Sequence, residues 1–122
     1  MPIHHKNNFA QFFWKTEKAI DVYDFSTEKW YTLKATLPQP TAAAGIITME
    51  NKIIYIGGEG EAPKAYRNTQ CFDVETEKWT QLSPLKIGRH GCGAILYKNK
   101  IYVAAGSGVR GGGNMTSIEV FK

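Results

Sequence analysis

Short apolar runs alternate with turn residues along most of the chain, and no run is long. The most complete series predicts four β-strands, at residues 43–49, 52–56, 69–74 and 78–82. Only two or three residues separate the first run from the second and the third from the fourth, which predicts two hairpins. The longer segment 59–68 joins these hairpins and has the length of a loop that contacts a ligand. The pattern therefore predicts a small antiparallel sheet.

Two segments of this four-stranded unit occur more than once. Residues 22–30 and 71–79 align at a shift of 49 and share the run Thr-Glu-Lys-Trp, while residues 51–58 and 99–106 align at a shift of 48. A further copy of the first segment begins near the end of the chain, where Phe121 lies 49 positions after Phe72. A four-stranded unit repeated about every 50 residues is typical of a β-propeller blade.

The residues that recur in this way resemble the kelch repeat. They are Gly57, Gly58, Phe72 and Trp79 in the complete unit, Tyr23 and Trp30 before it, and Ala105, Gly106 and Phe121 after it. The resemblance covers residues 19–122 and departs from the pattern at Ala105, which replaces the first glycine of the doublet. The glycine-rich segment 88–113 is similar to the last blades of bacterial and secreted kelch proteins. The resemblance implies an all-β fold of kelch-type β-propeller blades, each a four-stranded antiparallel sheet.

The repeat divides the chain into unequal parts. Residues 1–18 do not follow the repeat, and we expect a partial blade at 19–40, a full blade at 41–83 and a second partial blade at 84–122. These amount to about two blades, whereas propellers have roughly four to eight. We therefore expect an incomplete propeller, either a C-terminal piece of a longer ring or a homo-oligomer. In the oligomer, three chains would form six blades and each would lend its neighbour an outer strand.

Several repeat residues are predicted to have structural roles. Gly57 and Gly58 suit a backbone with positive φ or a close approach of two chain segments. Trp30 and Trp79 are predicted to pack between adjacent blades. The small residues at 42–45 and 91–94 suit innermost strands, because bulky side chains do not fit where blades converge.

Composition and charge narrow the function further. The chain has 122 residues, 43% of them hydrophobic, and its net charge of +4 is spread over interleaved bases and acids. We therefore expect no nucleic-acid partner, and the lack of a long apolar run predicts no membrane partner. No secretory signal is visible, so the compartment stays open, with the cytoplasm as the default.

The metal-binding and redox residues are few. His4 and His5 lack a third ligand nearby, so we expect no metal and no cofactor. Cys71 and Cys92 lie in apolar strand patterns and are predicted to be small buried residues, although a disulfide between them stays open.

Antiparallel order places the loop between the second and third strands at the same end of a blade as the linker that enters the next blade. The candidate ligand-binding residues in these segments are Glu59, Arg67, Arg89, His90, Ser107 and Arg110. Arginines in such a ring suit carboxylate or sugar-acid recognition. The alternative is structural: Arg89 would bind backbone carbonyls, and His90 would donate a hydrogen bond. Residues 111–113, three glycines, suit either an anion nest or a tight flexible loop.

The first functional hypothesis is a binding module that presents these loops to a protein or a carbohydrate, with no catalytic residue. The second is part of a sugar-modifying enzyme, because kelch-like rings include sialic-acid mutarotases and galactose oxidases. A mutarotase-like site would use Glu59 with Arg67 or His90 as acid and base. The copper site of an oxidase finds no matching tyrosines, histidines and cysteine in this sequence. The third hypothesis is a truncated propeller fragment without activity.

Overall fold

The computed structural model describes residues 16–121, and the predictions made for residues 1–15 lie outside that range. Within it the chain is all-β, with these strands: β1 (Ala19–Asp24), β2 (Lys29–Thr36), β3 (Gly45–Met49), β4 (Lys52–Ile56), β5 (Thr69–Asp73), β6 (Lys78–Leu82), β7 (Gly93–Tyr97), β8 (Lys100–Ala104) and β9 (Ile118–Phe121). No segment of this range forms a helix long and apolar enough to cross a membrane.

The strands form three antiparallel sheets, which confirms the predicted fold class. The sheet β1-β2 is the first blade, the sheet β3-β4-β5-β6 is the second, and the sheet β7-β8-β9 is the third. By repeat position they correspond to strands c–d, a–b–c–d and a–b–c of successive blades. The second blade pairs without interruption in register, from Gly45 opposite Ile56 to Asp73 opposite Lys78. The predicted first strand began at residue 43, but Ala43 has a φ of 55° and the strand begins at Gly45.

The turn between strands c and d has the same design in the first and second blades. The side chain of Asp73 accepts hydrogen bonds from the backbone N–H groups of Glu75 at 2.9 Å and Thr76 at 3.1 Å. The carbonyl of Asp73 accepts a third from the N–H of Glu77, which takes a φ of 56°. The N–H groups, with that of Thr76 first, lower the pKa of Asp73 against the opposing effect of burial. This turn explains why the run Thr-Glu-Lys-Trp recurs.

The main core lies between the second and third blades. Because successive residues of a strand point to opposite faces, Ile47, Ile54 and Cys71 share one face of the second blade. They pack against Ile101 and Val103 of the third blade, and all five side chains are buried. Cys71 is a free thiol in this core, as is the half-buried Cys92 near it. The alternation read from the sequence thus corresponds to two packed sheet faces.

The opposite face of the second blade carries the aromatic residues of the repeat. Trp79 lies across from Phe72 with the ring centroids 4.9 Å apart, and 5.7 Å from the ring of Tyr55. This face and Val22 of the first blade line a cavity between the two blades, so Trp79 has the predicted position. Trp30 forms the equivalent pair with Tyr23 at 5.3 Å but is 69% exposed. The expectation that Trp30 packs between blades is wrong within residues 16–121, where no sheet covers its face.

The innermost strands meet at small residues, as the sequence predicts. Strands β3 and β7 are the neighbouring inner strands of the second and third blades. A methyl group added to Gly45 would lie 3.2 Å from the Cys92 sulfur and 3.2 Å from the Cβ of Ala94. A larger side chain at Gly45 would therefore push the two blades apart.

The glycine doublet lies beneath the linker that enters the third blade. Gly57 and Gly58 have φ of 69° and 104°, and the N–H of Gly58 donates to the carbonyl of Arg89 at 2.7 Å. A Cβ on Gly57 would overlap the carbonyl oxygen of Arg89. At the equivalent position in the third blade, Ala105 takes a φ of 59° and is exposed. Both reasons predicted for the doublet, positive φ and close approach, hold at Gly57.

These two positions predict opposite effects on stability. Gly57→Ala introduces both a left-handed alanine and an overlap with the linker, and we expect it to lower the free energy of unfolding by about 3 kcal/mol. Ala105→Gly relieves the left-handed strain without an overlap, and we expect a gain of about 0.5–1 kcal/mol. Urea unfolding followed by tryptophan fluorescence measures both changes. Equal stability of Gly57→Ala and the wild type would contradict the close approach.

Candidate functional site

The b–c loops, 57–68 and 105–117, and the linkers that enter the second and third blades lie at one end of the blades. In the second blade the backbones of Ala42 and Glu59 exchange two hydrogen bonds of 2.9 Å, and in the third blade His90 and Ser107 do the same. The sequence reasoning placed these segments at the same end from strand direction alone. We call this end of the second and third blades the loop face.

The two b–c loops are joined directly to each other across the blades. The N–H of Ala65 donates to the carbonyl of Gly108 at 3.0 Å, and the N–H of Arg110 donates to the carbonyl of Pro63 at 2.9 Å. A further antiparallel bridge pairs Lys64 with Val109. These backbone bonds hold segments from two blades as one continuous surface.

Glu59 and His90 form a polar pair at the centre of the loop face. The Oε2 atom of Glu59 lies 3.3 Å from Nε2 of His90, and both side chains are 12% exposed. The same Oε2 accepts a hydrogen bond from the N–H of Gly111 at 2.7 Å, and Nε2 of His90 lies 2.8 Å from the carbonyl of Val109. An imidazole protonated at Nε2 donates to that carbonyl, as the structural alternative predicts. Within the described residues, the anion at Gly111 is thus the protein's own carboxylate.

Ser107 and Arg110 join this pair, whereas Arg67 lies apart from it. Ser107 contributes its backbone to the bridge with His90, and one terminal nitrogen of Arg110 donates to the carbonyl of Glu61 at 2.6 Å. The exposed Arg67 donates from Nε to the carbonyl of Leu85 at 2.6 Å, toward the linker between the blades. The structure thus brings four of the six predicted residues together.

Arg89 is the most deeply placed charged residue of the described range, with no exposed surface. Its terminal nitrogens donate to the carbonyls of Ser117 at 2.9 Å and Ala105 at 3.3 Å, and to the hydroxyl of Ser117 at 3.0 Å. A salt bridge of 2.8 Å to Glu119 completes the set. This geometry corresponds to the structural role that the sequence reasoning held open for Arg89.

Glu119 is a residue of the site that the sequence reasoning missed. Besides Arg89, it accepts hydrogen bonds from the N–H groups of Lys86 at 2.7 Å and Ile87 at 3.1 Å, so it fastens the incoming linker to strand β9. Gln70, 49 positions earlier, does the same to the preceding linker by bonding both backbone groups of Gln39. A polar residue recurring at one strand position was the available signal.

The electrostatics of Glu119 follow from these contacts. Burial alone would raise the pKa of Glu119, but the N–H groups of Lys86 and Ile87 and the Arg89 guanidinium together lower it below its ordinary value of 4.5. By contrast, burial raises the pKa of the Cys92 thiol, so this cysteine is a poor nucleophile. Among residues 16–121, no three His, Cys, Asp or Glu side chains are grouped so that they could hold a metal ion.

Substitution of Glu119 tests how strongly it fastens the linker. Glu119→Ala removes the acceptor for two backbone N–H groups and leaves Arg89 buried without its counterion, so we expect a loss of about 3 kcal/mol in unfolding free energy. Glu119→Gln keeps an acceptor, as in Gln70, and should lose only about 1 kcal/mol. Urea unfolding at neutral pH measures both, with the exposed Glu75→Ala as a control. A loss equal to that of the control would contradict the role of Glu119.

The pH dependence gives a separate prediction. Because the folded-state pKa of Glu119 is lowered, its stabilising effect is full above about pH 4.5 and is lost as pH falls through the folded pKa. The difference in stability between the wild type and Glu119→Gln should therefore shrink as pH falls from 7 to 3. Urea midpoints across this range measure it. A difference that stays constant would show that the charge of Glu119 contributes nothing.

Comparison with known proteins matches the fold described above. The family model for the Kelch motif matches residues 40–86, which contain the whole second blade. Kelch-like protein 25 of Xenopus tropicalis is 34% identical over 89 residues, which cover 71% of this chain and 14% of that protein. Human Kelch-like protein 23 is 27% identical over 106 residues, 87% of this chain and 18% of that protein.

A zebrafish relative extends the comparison. The Kelch repeat and BTB domain-containing protein 12 of Danio rerio is 28% identical over 102 residues, 70% of this chain. The chain spans less than a fifth of the length of each of these three relatives. With its glycine doublet, its paired aromatic residues and its four-stranded unit in the places that the motif requires, the chain is a kelch repeat protein.

Proposed function

We propose that this chain is a protein-interaction module whose loop face binds a partner protein. The observation that carries the proposal is the direct joining of two b–c loops, through Ala65 with Gly108 and Arg110 with Pro63. Loops fixed on a rigid scaffold are the usual place for recognition. The match to the Kelch motif and to Kelch-like proteins supports protein binding as the activity.

The fixed loops favour binding in energetic terms. A flexible loop loses roughly 0.5–1.5 kcal/mol for each side chain that it must immobilise on binding. Here the backbone of both loops is already held by hydrogen bonds across the blades. A partner would therefore meet a surface with its shape set in advance.

The exposed groups of the loop face indicate the chemistry of the partner. Lys64, Arg67 and Lys86 are exposed, whereas the carboxylate of Glu59 is engaged by His90 and Gly111. An excess of exposed basic groups suits a partner segment that carries Asp and Glu side chains. The half-exposed side chain of Val109 adds an apolar contact beside them. We therefore propose an acidic protein segment as the ligand.

The predicted site residues divide into two roles under this proposal. Arg67 and Arg110 would contact the partner, because planar guanidinium groups bind carboxylates with two hydrogen bonds. Glu59, His90 and Ser107 would hold the shape of the loop face. The buried Arg89 would act beneath them as a positioning residue.

A carbohydrate ligand would use the same guanidinium groups, and it is kept as an outcome of the test. A mutarotase-like reaction would require Glu59 or His90 to exchange a proton with the sugar. Both side chains are mostly buried, and each has a backbone partner in addition to the other. The geometry thus favours binding over catalysis.

Reversal of one charge on the loop face tests the proposal. Lys64→Glu alters an exposed side chain whose backbone, not its side chain, forms the bridge to Val109. We expect this variant to lose its protein partner by at least about tenfold in affinity, because a like charge would face acidic groups. Lys98→Glu makes the same charge change in the a–b turn at the opposite end of the third blade and should bind as the wild type does.

The measurement is retention of cell-extract proteins on the immobilised chain, quantified by mass spectrometry for the wild type and both variants. A protein kept by the wild type and by Lys98→Glu but lost from Lys64→Glu supports the loop face. Identical retention by all three proteins would refute the assignment. The same three samples on a glycan array separate the ligand classes, since a glycan signal removed only by Lys64→Glu would replace the protein ligand with a carbohydrate.

A further inference from the structure

The two outer faces of the three-blade stack are apolar and exposed. On the first blade, Trp30 is 69% exposed and packs edge-on against Tyr23, which also contacts the exposed Phe25. On the third blade, the apolar residues that share the outer face are Ile95, Tyr97, Tyr102, Ile118 and Val120. All except the half-buried Tyr102 are exposed, with Ile118 at 64%.

The repeat relates the outer face of the third blade to a face that is buried inside the chain. Ile95 and Tyr102 lie 48 positions after Ile47 and Ile54. Those two residues face the third blade and are 6% and 2% exposed. The outer face of the third blade is therefore the repeat equivalent of a surface built to be covered by a following blade.

The same relation holds at the other end of the stack. Tyr23 and Trp30 lie 49 positions before Phe72 and Trp79. Phe72 lines the cavity between the first and second blades, and Trp79 packs against it. The outer face of the first blade is thus the repeat equivalent of a surface that meets a preceding blade.

We propose that a second copy of this chain covers both faces. The outer face of the third blade of one copy would pack on the outer face of the first blade of the other copy, and the reverse contact would close the ring. The contact has the same design as the two blade contacts within the chain, so the assembly continues an interface that the fold already contains. Repeat stacks with uncovered apolar ends are poorly soluble, which favours such closure.

The number of sheets selects two copies rather than three. Each chain contributes three sheets, and propellers have roughly four to eight blades, so two copies make six and three copies would make nine. The sequence alone suggested three copies, each lending an outer strand to its neighbour. In the structure, that strand, β2, is paired with β1 along its length from Asp21 opposite Thr32 to Asp24 opposite Lys29. Six blades from two copies leave this pairing intact.

The first experiment is the mass of the full chain in solution by sedimentation equilibrium. We expect twice the 13.6 kDa of one chain at micromolar concentration. A folded species with the mass of one chain would overturn the proposal. A mass of three chains would overturn it as well, in favour of strand exchange between copies.

The second experiment tests which faces meet. Trp30→Lys alters only the first-blade face and Ile118→Lys only the third-blade face, and both side chains are exposed, so the fold should survive. Because each contact uses one face of each kind, either variant alone should become monomeric. An equimolar mixture should regain a dimer, since one of its two contacts is then undamaged.

The controls separate this proposal from the proposed function. Ile87→Lys changes an exposed isoleucine of the linker in the same way and should remain dimeric. Lys64→Glu should also remain dimeric, so a failure to bind a partner leaves the mass unaffected. If Trp30→Lys stays dimeric while Ile118→Lys does not, the third-blade faces meet each other, and the ring is refuted.

Discussion

The close passage of each entering linker over the residue doublet of the blade sheet is the constraint on which the rest of the structure depends. The linker to the third blade crosses so near Gly57 that a Cβ would overlap its backbone, and the N–H of Gly58 bonds to that linker. This passage fixes His90 in reach of Ser107 and Glu59. The loop face thus follows from backbone packing, and its side chains lie on a frame that glycine permits.

The structure also shows two chemical solutions to one problem, the attachment of a linker to the blade that it enters. In the second blade, Thr41 donates to the carbonyl of Gly57, and Gln70 bonds the backbone of Gln39. In the third blade, the equivalent residues Arg89 and Glu119 bond the equivalent groups and each other. Neutral groups thus do in one blade what a buried ion pair does in the next. The ion pair adds contacts to Ser117, and it adds the dependence on pH that burying a charge brings.

Much of the fold was predictable because its information is local. The strand positions followed from alternation, and the turn at Asp73 follows from a side chain that bonds N–H groups two and three residues on. The common end of the loops followed from strand direction. In contrast, the contact of Glu59 with Gly111 joins residues 52 positions apart in different blades, and no period in the sequence indicates it. The exposure of Trp30 was also missed, because the repeat indicates a partner for every face and the described residues supply none at that end.

The loop face and the outer faces lie on different sides of the blades, so binding and assembly are separable in this molecule. Blade contacts are made by alternating strand residues such as Ile54 and Tyr55, whereas the loop face is made by connections outside the strands. In a ring closed by two copies, the twofold axis would coincide with the ring axis, and both loop faces would point to the same side. A partner with two acidic segments would then bind both copies at once, and the second contact would form at a high effective concentration. Dimer formation would in this way raise the affinity of a loop face whose individual contacts are weak.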